Sequence, residues 1–254
     1  MVVLGLLILF FALLCPLQIS AQIPLVMPKS DTIEEIPILA EILQDCKLYS
    51  DKSLNFPILE LFAGMQAEIL EDYSMKQYRI KINESLETTG WIDGANLGIP
   101  PDAPTNPIPL SQDFLECFVN ERGYTSKTDF LILTDISRQQ THVFLKSQEQ
   151  NWKHMRSLSC STGMNISPTT RGEFQIADRG LWFYSERLES GAKYWMRFNG
   201  DYLFHSIPMN SQCEIIEDEN TVGIRRSNGC VRLLVDDAKW LYDNVPDKTT
   251  VIII

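Results

Sequence analysis

A proline-rich segment is the feature that most restricts how this 254-residue chain can fold. The segment runs from Gly98 to Pro109 and contains five prolines: Pro100, Pro101, Pro104, Pro107 and Pro109. Proline fixes φ and lacks a backbone N–H, so such a stretch can neither continue a helix nor pair within a sheet. It predicts an extended linker over 98–110 between two units, and the 44% hydrophobic content is sufficient for a core in each.

The residues before the linker predict a small β-barrel over 36–97. Short apolar stretches at 39–43, 58–61 and 78–82 are separated by turns, and this close spacing favours short strands. The order of Leu48-Tyr49-Ser50, Phe62-Ala63-Gly64 and Gly90-Trp91-Ile92 resembles a bacterial Src homology 3 barrel of the cell-wall type. That resemblance implies a wall-binding or substrate-positioning module. The alternative is a purely structural β domain with Trp91 in its core.

The residues after the linker predict a second, larger β unit. Ser111 is placed to cap a short helix whose apolar face, from Phe114 to Val119, is expected to pack between the two units. Apolar runs such as 130–134 and 141–145 favour strands, whereas 236–242 has a helical pattern. The predicted fold is therefore mainly β, with an N-terminal barrel and a C-terminal β-sandwich that contains one or two helices.

The segment Ser227-Asn228-Gly229-Cys230-Val231-Arg232 carries the strongest chemical signal, and His205-Ser206 precedes it. A cysteine is a good nucleophile only as the thiolate, and a nearby imidazole can take its proton. Gly229 leaves room for backbone N–H groups to approach a substrate carbonyl and stabilise an oxyanion. His142 and His154 have no such motif around them and are interpreted as structural.

This arrangement resembles the catalytic motif of the YkuD-like L,D-transpeptidases of bacterial cell walls. The match runs through His205, Ser227, Gly229, Cys230 and Val231. Asn228 stands where the family usually has a second histidine, and Cys230 follows His205 by 25 positions, a longer gap that predicts an acidic loop over 209–222. Ser161-Thr162-Gly163 and the stretch 167–174 also resemble the family, so the resemblance covers 127–254.

The resemblance implies a peptidoglycan L,D-transpeptidase that works through a cysteine thioester. Cys230 would attack a donor stem peptide, and His205 would exchange the proton. The Ser206 carbonyl would orient the imidazole, and N–H groups around Gly229 would bind the oxyanion. The candidate substrate-binding residues are Arg232, Asn228, Ser227, Trp182 and Tyr184.

The implied reaction requires no metal or organic cofactor, and carbapenem β-lactams are expected to acylate the cysteine. Two alternatives stay open. With water in place of the acceptor amine, the same site would act as an L,D-carboxypeptidase. The chain could also be a catalytically inactive cell-wall-binding protein, as Asn228 and the acidic loop suggest.

The charge of the chain excludes one class of partner. The sequence has 33 acidic and 22 basic side chains, a net charge of -11, whereas binding to nucleic acid needs a basic face. Locally, Arg225, Arg226 and Arg232 bracket Cys230 and predict a lowered pKa for its thiol. The alternative for Arg225 and Arg226 is surface ion pairing with acids such as Asp236 and Asp237.

The N-terminus predicts export. Residues 2–17 are almost wholly apolar, and Ile19-Ser20-Ala21 follows as a small-residue cleavage site. We interpret 1–21 as a signal peptide or an uncleaved membrane anchor, which would place the protein in the cell wall or periplasm.

The number of cysteines is compatible with one free thiol that acts as the nucleophile. Without Cys15 in the leader, an odd number remains: Cys46, Cys117, Cys160, Cys213 and Cys230. If Cys230 stays unpaired, Cys46 with Cys117 and Cys160 with Cys213 is one of three pairings that the sequence leaves open. Buried free thiols are an equal alternative. A zinc site from His205, Cys213 and Cys230 is disfavoured, because the spacings lack close ligand pairs.

Overall fold

The computed structural model describes residues 32–33, 35–82 and 87–254; the predicted leader over 1–21 lies outside the described residues. The fold is mainly β with two α-helices in these ranges, which confirms the predicted fold class. The strands belong to two sheets that lie on either side of the proline-rich segment. No helix within the described ranges has the length and apolar character to cross a membrane.

The first sheet has seven strands in the described residues, in the order β3-β2-β6-β5-β4-β1-β7. Its strands are β1 (Ile38–Ile42), β2 (Cys46–Tyr49), β3 (Pro57–Leu61), β4 (Gln66–Tyr73), β5 (Gln77–Ile82), β6 (Thr88–Asp93) and β7 (Leu97–Gly98). In β5, Tyr78, Ile80 and Ile82 are buried while the residues between them are not, as expected when alternate side chains face one core.

Trp91 does not fill this core. Ile92 is fully buried among the core residues, and Trp91, one position earlier on β6, points to the other face and stays half-buried. The alternative that made Trp91 a core residue is therefore wrong. Gly90 is required beside it, because a Cβ there would lie 2.6 Å from Leu48 Cγ and 2.7 Å from the Tyr49 carbonyl oxygen.

The second sheet has nine strands in the order β11-β16-β8-β9-β10-β15-β14-β13-β12, counted over the described residues. Its strands are β8 (Phe130–Asp135), β9 (Gln140–Lys146), β10 (Trp152–Ser161), β11 (Gly172–Gln175), β12 (Asp178–Ser185), β13 (Ser190–Asn199), β14 (Tyr202–Ser206), β15 (Val231–Leu233) and β16 (Thr250–Ile253). The sheet curls strongly: Phe174 on β11 and Phe198 on β13, near opposite ends of this order, have ring centroids 5.6 Å apart. One curled sheet thus encloses the core between its own two ends.

Two helices cover this sheet on different faces. Helix α1 (Gln112–Glu121) begins as predicted, because the Ser111 hydroxyl accepts a hydrogen bond from the Phe114 N–H at 3.3 Å. Its apolar face packs on the outer side of β8, β9 and β16, against residues such as Leu131 and Phe144. The expectation that this helix lies between the two units is therefore wrong. Helix α2 (Val235–Asn244) buries Ala238 and Leu241 in the main core.

The loop 162–171 joins the two units. The Tyr78 hydroxyl donates to the Ile166 carbonyl at 2.8 Å, and the Ser167 hydroxyl donates to Asp72 Oδ1 at 2.7 Å. Asn165 Nδ2 donates to the carbonyl of Pro101 in the linker at 2.9 Å. The first sheet and the linker therefore hold a loop that contains parts of two of the sequence motifs described above.

Candidate active site

Strand pairing brings the predicted imidazole and thiol to one face of the sheet. Strands β14 and β15 are parallel, with Phe204 opposite Val231 and His205 opposite Arg232. Phe204 and Val231 point into the core, where they are 1% and 0% exposed. Because side chains alternate along a strand, His205 and Arg232 face the other way. Cys230, one position before Val231, lies on that same side.

His205 is held in one tautomer. Its Nδ1 lies 2.6 Å from the Ser206 carbonyl oxygen, and since a carbonyl only accepts, Nδ1 carries the proton. The Nε2 atom of the neutral ring is then the basic one. This is the hydrogen bond that the sequence analysis proposed for Ser206. Burial, and to a smaller extent the positive charge of Arg232, lower the pKa of His205 to about 4 despite this bond, so the imidazole is neutral at pH 7.

The Cys230 thiol is protonated at rest. Its Sγ lies 3.6 Å from the Asp201 carbonyl oxygen, and the residue is half-buried. Burial raises the pKa of this thiol to about 11, which outweighs the lowering by Arg232 and Arg197. The lowering predicted from the arginine cluster is present for Arg232, but the net shift of the Cys230 pKa is upward. A base is needed to generate the thiolate.

One acid in the predicted acidic loop partly compensates the charges of the arginine cluster. Glu217 accepts from Arg232 Nη1 at 2.9 Å and also forms an ion pair with Arg226. Arg225 instead donates to Asn165 Oδ1 at 2.8 Å. The alternative partners Asp236 and Asp237 are wrong for these arginines, since Asp237 pairs with Arg156. Glu217 was missed because its loop separates it from the motif in sequence.

The nucleophile turn is tightly fixed. Ser227 Oγ donates to the Cys230 carbonyl oxygen and accepts from the Gly229 N–H at 3.1 Å, while Thr169 Oγ1 donates to the Gly229 carbonyl at 2.7 Å. Gly229 has φ +101, and a Cβ there would lie 2.4 Å from the Tyr202 ring. Only glycine fits this position. Its N–H is engaged by Ser227, so the predicted oxyanion contribution of this N–H requires that bond to be exchanged for substrate.

A groove of about 400 Å³ lies beside this turn and is shared by the two units. Asn228, Asp201 and Tyr202 border it on one side, with Trp91 and Tyr73 of the first sheet on the other. Asn228 is exposed and faces this groove. Tyr73 adjoins the hairpin tip at Ser74 and Met75, both with positive φ. The groove reaches the predicted nucleophile through Asp201 and Asn228, while Cys230 and His205 themselves do not line it.

The two predicted cleft aromatics do not border this groove. On β12, Phe183 lies edge-on to the His205 ring with centroids 5.6 Å apart, so the alternation of the strand sends Trp182 and Tyr184 to the opposite face. Trp182 and Tyr184 therefore do not face His205, and their role in substrate binding stays a prediction, whereas no sequence motif indicated Phe183. Tyr202 and Trp91 are the aromatics that the structure places at the groove.

The described cysteines all carry free thiols in this structure. Cys160 is fully buried, while Cys213 is exposed in the acidic loop. No group of three or more His, Cys, Asp or Glu side chains in the described part of the chain could hold a metal ion, so the zinc option from His205, Cys213 and Cys230 does not assemble.

Comparison with known proteins places this site in a family. Residues 129–253 match the model of the L,D-transpeptidase catalytic domain, YkuD. The protein named "Putative L,D-transpeptidase YciB" from Bacillus subtilis (strain 168) is 43% identical over 89 residues, which span 34% of this chain and 46% of that protein. The chain thus matches less than half the length of this curated relative.

Similar folds are found among solved structures. A fused Zn-dependent amidase/peptidase/peptidoglycan-binding domain-containing protein from Clostridium acetobutylicum ATCC 824 is 31% identical, with 56% of this chain and 59% of that chain covered and a TM-score of 0.47. An L,D-transpeptidase from Stackebrandtia nassauensis is 22% identical, with coverage of 53% and 59% and a TM-score of 0.40. The L,D-transpeptidase LdtMt1, solved with imipenem, is 12% identical, with coverage of 85% and 81% and a TM-score of 0.42.

The region that contains His205 and Cys230 is therefore an L,D-transpeptidase-type domain. Residues 129–253 of this chain belong to the YkuD family of L,D-transpeptidase catalytic domains.

Proposed function

We propose that the chain is a peptidoglycan L,D-transpeptidase that cross-links stem peptides through a thioester on Cys230. The observation that carries this proposal is the parallel pairing of β14 with β15 inside the family domain, which presents His205 and Cys230 on one face. The neutral imidazole, with Nδ1 engaged by the Ser206 carbonyl, supplies a base to a thiol that burial keeps protonated.

In the first half-reaction, His205 Nε2 takes the thiol proton as Sγ attacks the donor carbonyl. The tetrahedral intermediate collapses with cleavage of the C–N bond to the terminal D-alanine. The departing amine takes this proton from His205, and the donor acyl group remains on sulfur as a thioester. His205 is then neutral again, and Cys230 is acylated and uncharged.

In the second half-reaction, an amine of another stem attacks the thioester. His205 removes a proton from that amine, the C–S bond breaks, and the thiolate is reprotonated. The shared groove beside Asn228 gives an acceptor peptide access to this step, and its size of about 400 Å³ suits a peptide segment better than a lone water. This supports transpeptidation over the alternative carboxypeptidase reaction.

Substrate contacts follow from the same geometry. Asn228 and Ser227 shape the turn, and Asn228 reaches into the groove. Arg232 has one guanidinium nitrogen on Glu217, and its Nε is buried without a partner, so it acts on a donor carboxylate only if Glu217 shares or yields it. Trp91 and Tyr73 make the first sheet a substrate-positioning wall, the role suggested by its barrel-like sequence.

Acylation by a carbapenem tests the nucleophile. After incubation of the mature chain with imipenem under reducing conditions, intact mass should increase by one drug molecule in the wild type and in Cys213→Ala. Cys230→Ala should show no adduct. Cys213 is a matched control because its thiol is also free and more exposed. Unmodified wild-type protein would favour the inactive wall-binding alternative.

Incubation with purified cell wall tests the reaction itself. New muropeptide dimers linked without terminal D-alanine identify a transpeptidase, whereas shortened monomers alone identify a carboxypeptidase. We also propose that the protein acts outside the cytoplasm, as its leader suggests. N-terminal sequencing of the chain recovered from the cell envelope should find a start after residue 21 or an intact anchor.

A further inference from the structure

A second cavity lies at the junction of the two units, and the proposed reaction does not use it. Its volume is about 170 Å³. Arg171 and Arg225 line it together with aliphatic side chains that include Ile38, Ile69 and Ile136. The space exceeds what a single water needs, so a group of several heavy atoms fits.

The two guanidinium groups in this cavity lack a carboxylate partner. Within the described ranges, neither Arg171 nor Arg225 has an acidic oxygen within 4 Å. Arg171 Nε is buried and has no hydrogen-bond partner. Arg225 has a neutral partner, the Asn165 side-chain oxygen. Burial lowers the pKa of both groups, and the charge of Arg225 lowers that of Arg171 further. Such a pair is stabilised when an anion lies between its members.

The other charged side chains at the cavity indicate how many negative charges that anion carries. Glu68 also lines the cavity and partly offsets the two arginines, while Arg79 is paired with Glu71 at 3.4 Å. The charged side chains of the lining, together with Glu71 on Arg79, therefore leave one net positive charge, which Asp102 outside the lining partly offsets at Arg225. A planar monoanion that accepts from guanidinium forks, with a short aliphatic part for the isoleucines, matches both features.

We infer that this cavity is a binding site for a small carboxylate, held between Arg171 and Arg225 at the junction of the two units. Thr169, which also lines the cavity, donates to the Gly229 carbonyl at 2.7 Å. An occupant is thus separated from the nucleophile turn by one side chain. The site is distinct from the groove beside Asn228, because Arg171 and Arg225 do not border that groove.

Isothermal titration calorimetry of the full chain with N-acetyl-D-alanine tests this inference. We expect saturable one-to-one binding, with at least tenfold weaker binding of the neutral N-acetyl-D-alaninamide. Arg171→Gln and Arg225→Gln should each weaken the carboxylate at least tenfold. The matched control is Arg187→Gln, which removes a charge from the groove beside Asn228 and should leave the affinity unchanged.

Three outcomes would overturn the site: no saturable binding, binding that survives Arg171→Gln and Arg225→Gln, or weakening by Arg187→Gln alone. Tighter binding of inorganic phosphate than of carboxylate would overturn the ligand class. Thermal unfolding controls for folding, and Arg171→Lys provides a second test because it keeps the charge but loses the planar fork. If Arg171→Gln does not fold, Arg171→Lys should still weaken binding.

Two further measurements are needed. One identifies the source of the carboxylate, and the other distinguishes binding at this site from catalysis. A soluble stem tetrapeptide that binds more than tenfold tighter than N-acetyl-D-alanine assigns the site to a wall peptide, and equal affinity assigns it to a free small acid. Binding should persist in Cys230→Ala. If carbapenem acylation fails in the wild type while this binding persists, the proposed function fails and the carboxylate site stands.

Discussion

Cys160 and His142 lie in the interior of the second sheet, on β10 and β9, whereas Cys230 and His205 lie where β15 begins and β14 ends. Burial raises the pKa of both thiols, to about 12 for Cys160 and about 11 for Cys230. It lowers the pKa of both imidazoles to about 4. The perturbed pKa values therefore do not distinguish the two regions.

Access and orientation distinguish them. Cys160 is 0% exposed, and its neighbours across the sheet close over it. His142 has Nδ1 on the Ser157 hydroxyl at 2.8 Å, and its Nε2 is buried without a partner. Cys230 sits at a strand end beside an open groove, with an imidazole whose Nδ1 is fixed by a backbone carbonyl. The proposed nucleophile and base thus lie at strand ends, whereas the second thiol and imidazole lie within strands.

The proposed difference between the two thiols is tested most directly by replacing each cysteine in turn. Cys230→Ala should lower the rate of acylation and of transpeptidation by at least about 10³-fold, because no other group supplies the nucleophile. Cys160→Ala should leave the rate within a few fold but lower the free energy of unfolding by about 1 kcal/mol, since it leaves a small void. Single-turnover mass spectrometry and urea unfolding measure the two effects. A rate loss of similar size in both variants would contradict the assignment.

Replacing each histidine by glutamine should give the next largest difference between the two regions. His205→Gln should slow acylation by about 10²–10⁴-fold, the usual contribution of a general base. His142→Gln should change the rate little, because that ring contacts Ser157 on the outer face of the sheet, the face that Phe144 also occupies. The measurement is the pseudo-first-order acylation rate with a carbapenem. Equal losses would mean that His205 acts only through folding.

The pH dependence of stability tests both regions together. A histidine whose pKa falls from 6.5 to about 4 on folding contributes stability above pH 6.5, and this stability is lost as the pH falls from 6.5 to 4. Each fully shifted histidine corresponds to a loss of up to about 3 kcal/mol over that interval. The thiols have raised pKa values, so their contribution is lost as the pH rises above 9.

Urea unfolding between pH 4 and pH 7 should therefore show a steep fall toward acid, and His142→Gln should make that fall shallower. The acylation rate should fall only near pH 4, where His205 becomes protonated. An unfolding free energy that stays constant from pH 7 to pH 5 would show that neither imidazole is desolvated as described.

Removing the acid that compensates the arginines should have the smallest effect. Glu217→Gln leaves Arg232 and Arg226 without their carboxylate, so the positive field at Cys230 increases and the pKa of its thiol should fall. The thiol of Cys160 should not respond. The pH profile of Cys230 alkylation by iodoacetamide, in a Cys213→Ala background, measures the shift. An unchanged profile would show that Glu217 does not set the charge near the thiol.

Local patterns predicted much of the fold, and the failures arose from contacts distant in sequence. The alternation in β5 and the Ser111 cap are local properties, so the mainly β fold and the start of helix α1 were accessible. The position of that helix depends on which face of the sheet is free, and this is settled only when β16 pairs with β8.

The same limit applies to the candidate site. His205 and Cys230 were identified because the family motif is local, and their common face follows from strand register. The direction of the Cys230 pKa shift could not be predicted, because it depends on burial, which outweighs the lowering by Arg232. Trp182 and Tyr184 were chosen without knowledge of which β12 residues face inward. The contact of Phe183 with His205 shows which β12 side chains face the imidazole.

The hydrogen bonds from Tyr78 and Ser167 across the junction have a practical consequence for the design of experiments. A fragment cut to the family domain alone would release the loop 162–171 from two of its anchors, and this loop holds the Gly229 carbonyl through Thr169. Kinetic constants obtained on such a fragment would describe a nucleophile turn with weakened support. Inhibitor screening and enzymology should therefore use protein that retains the first sheet.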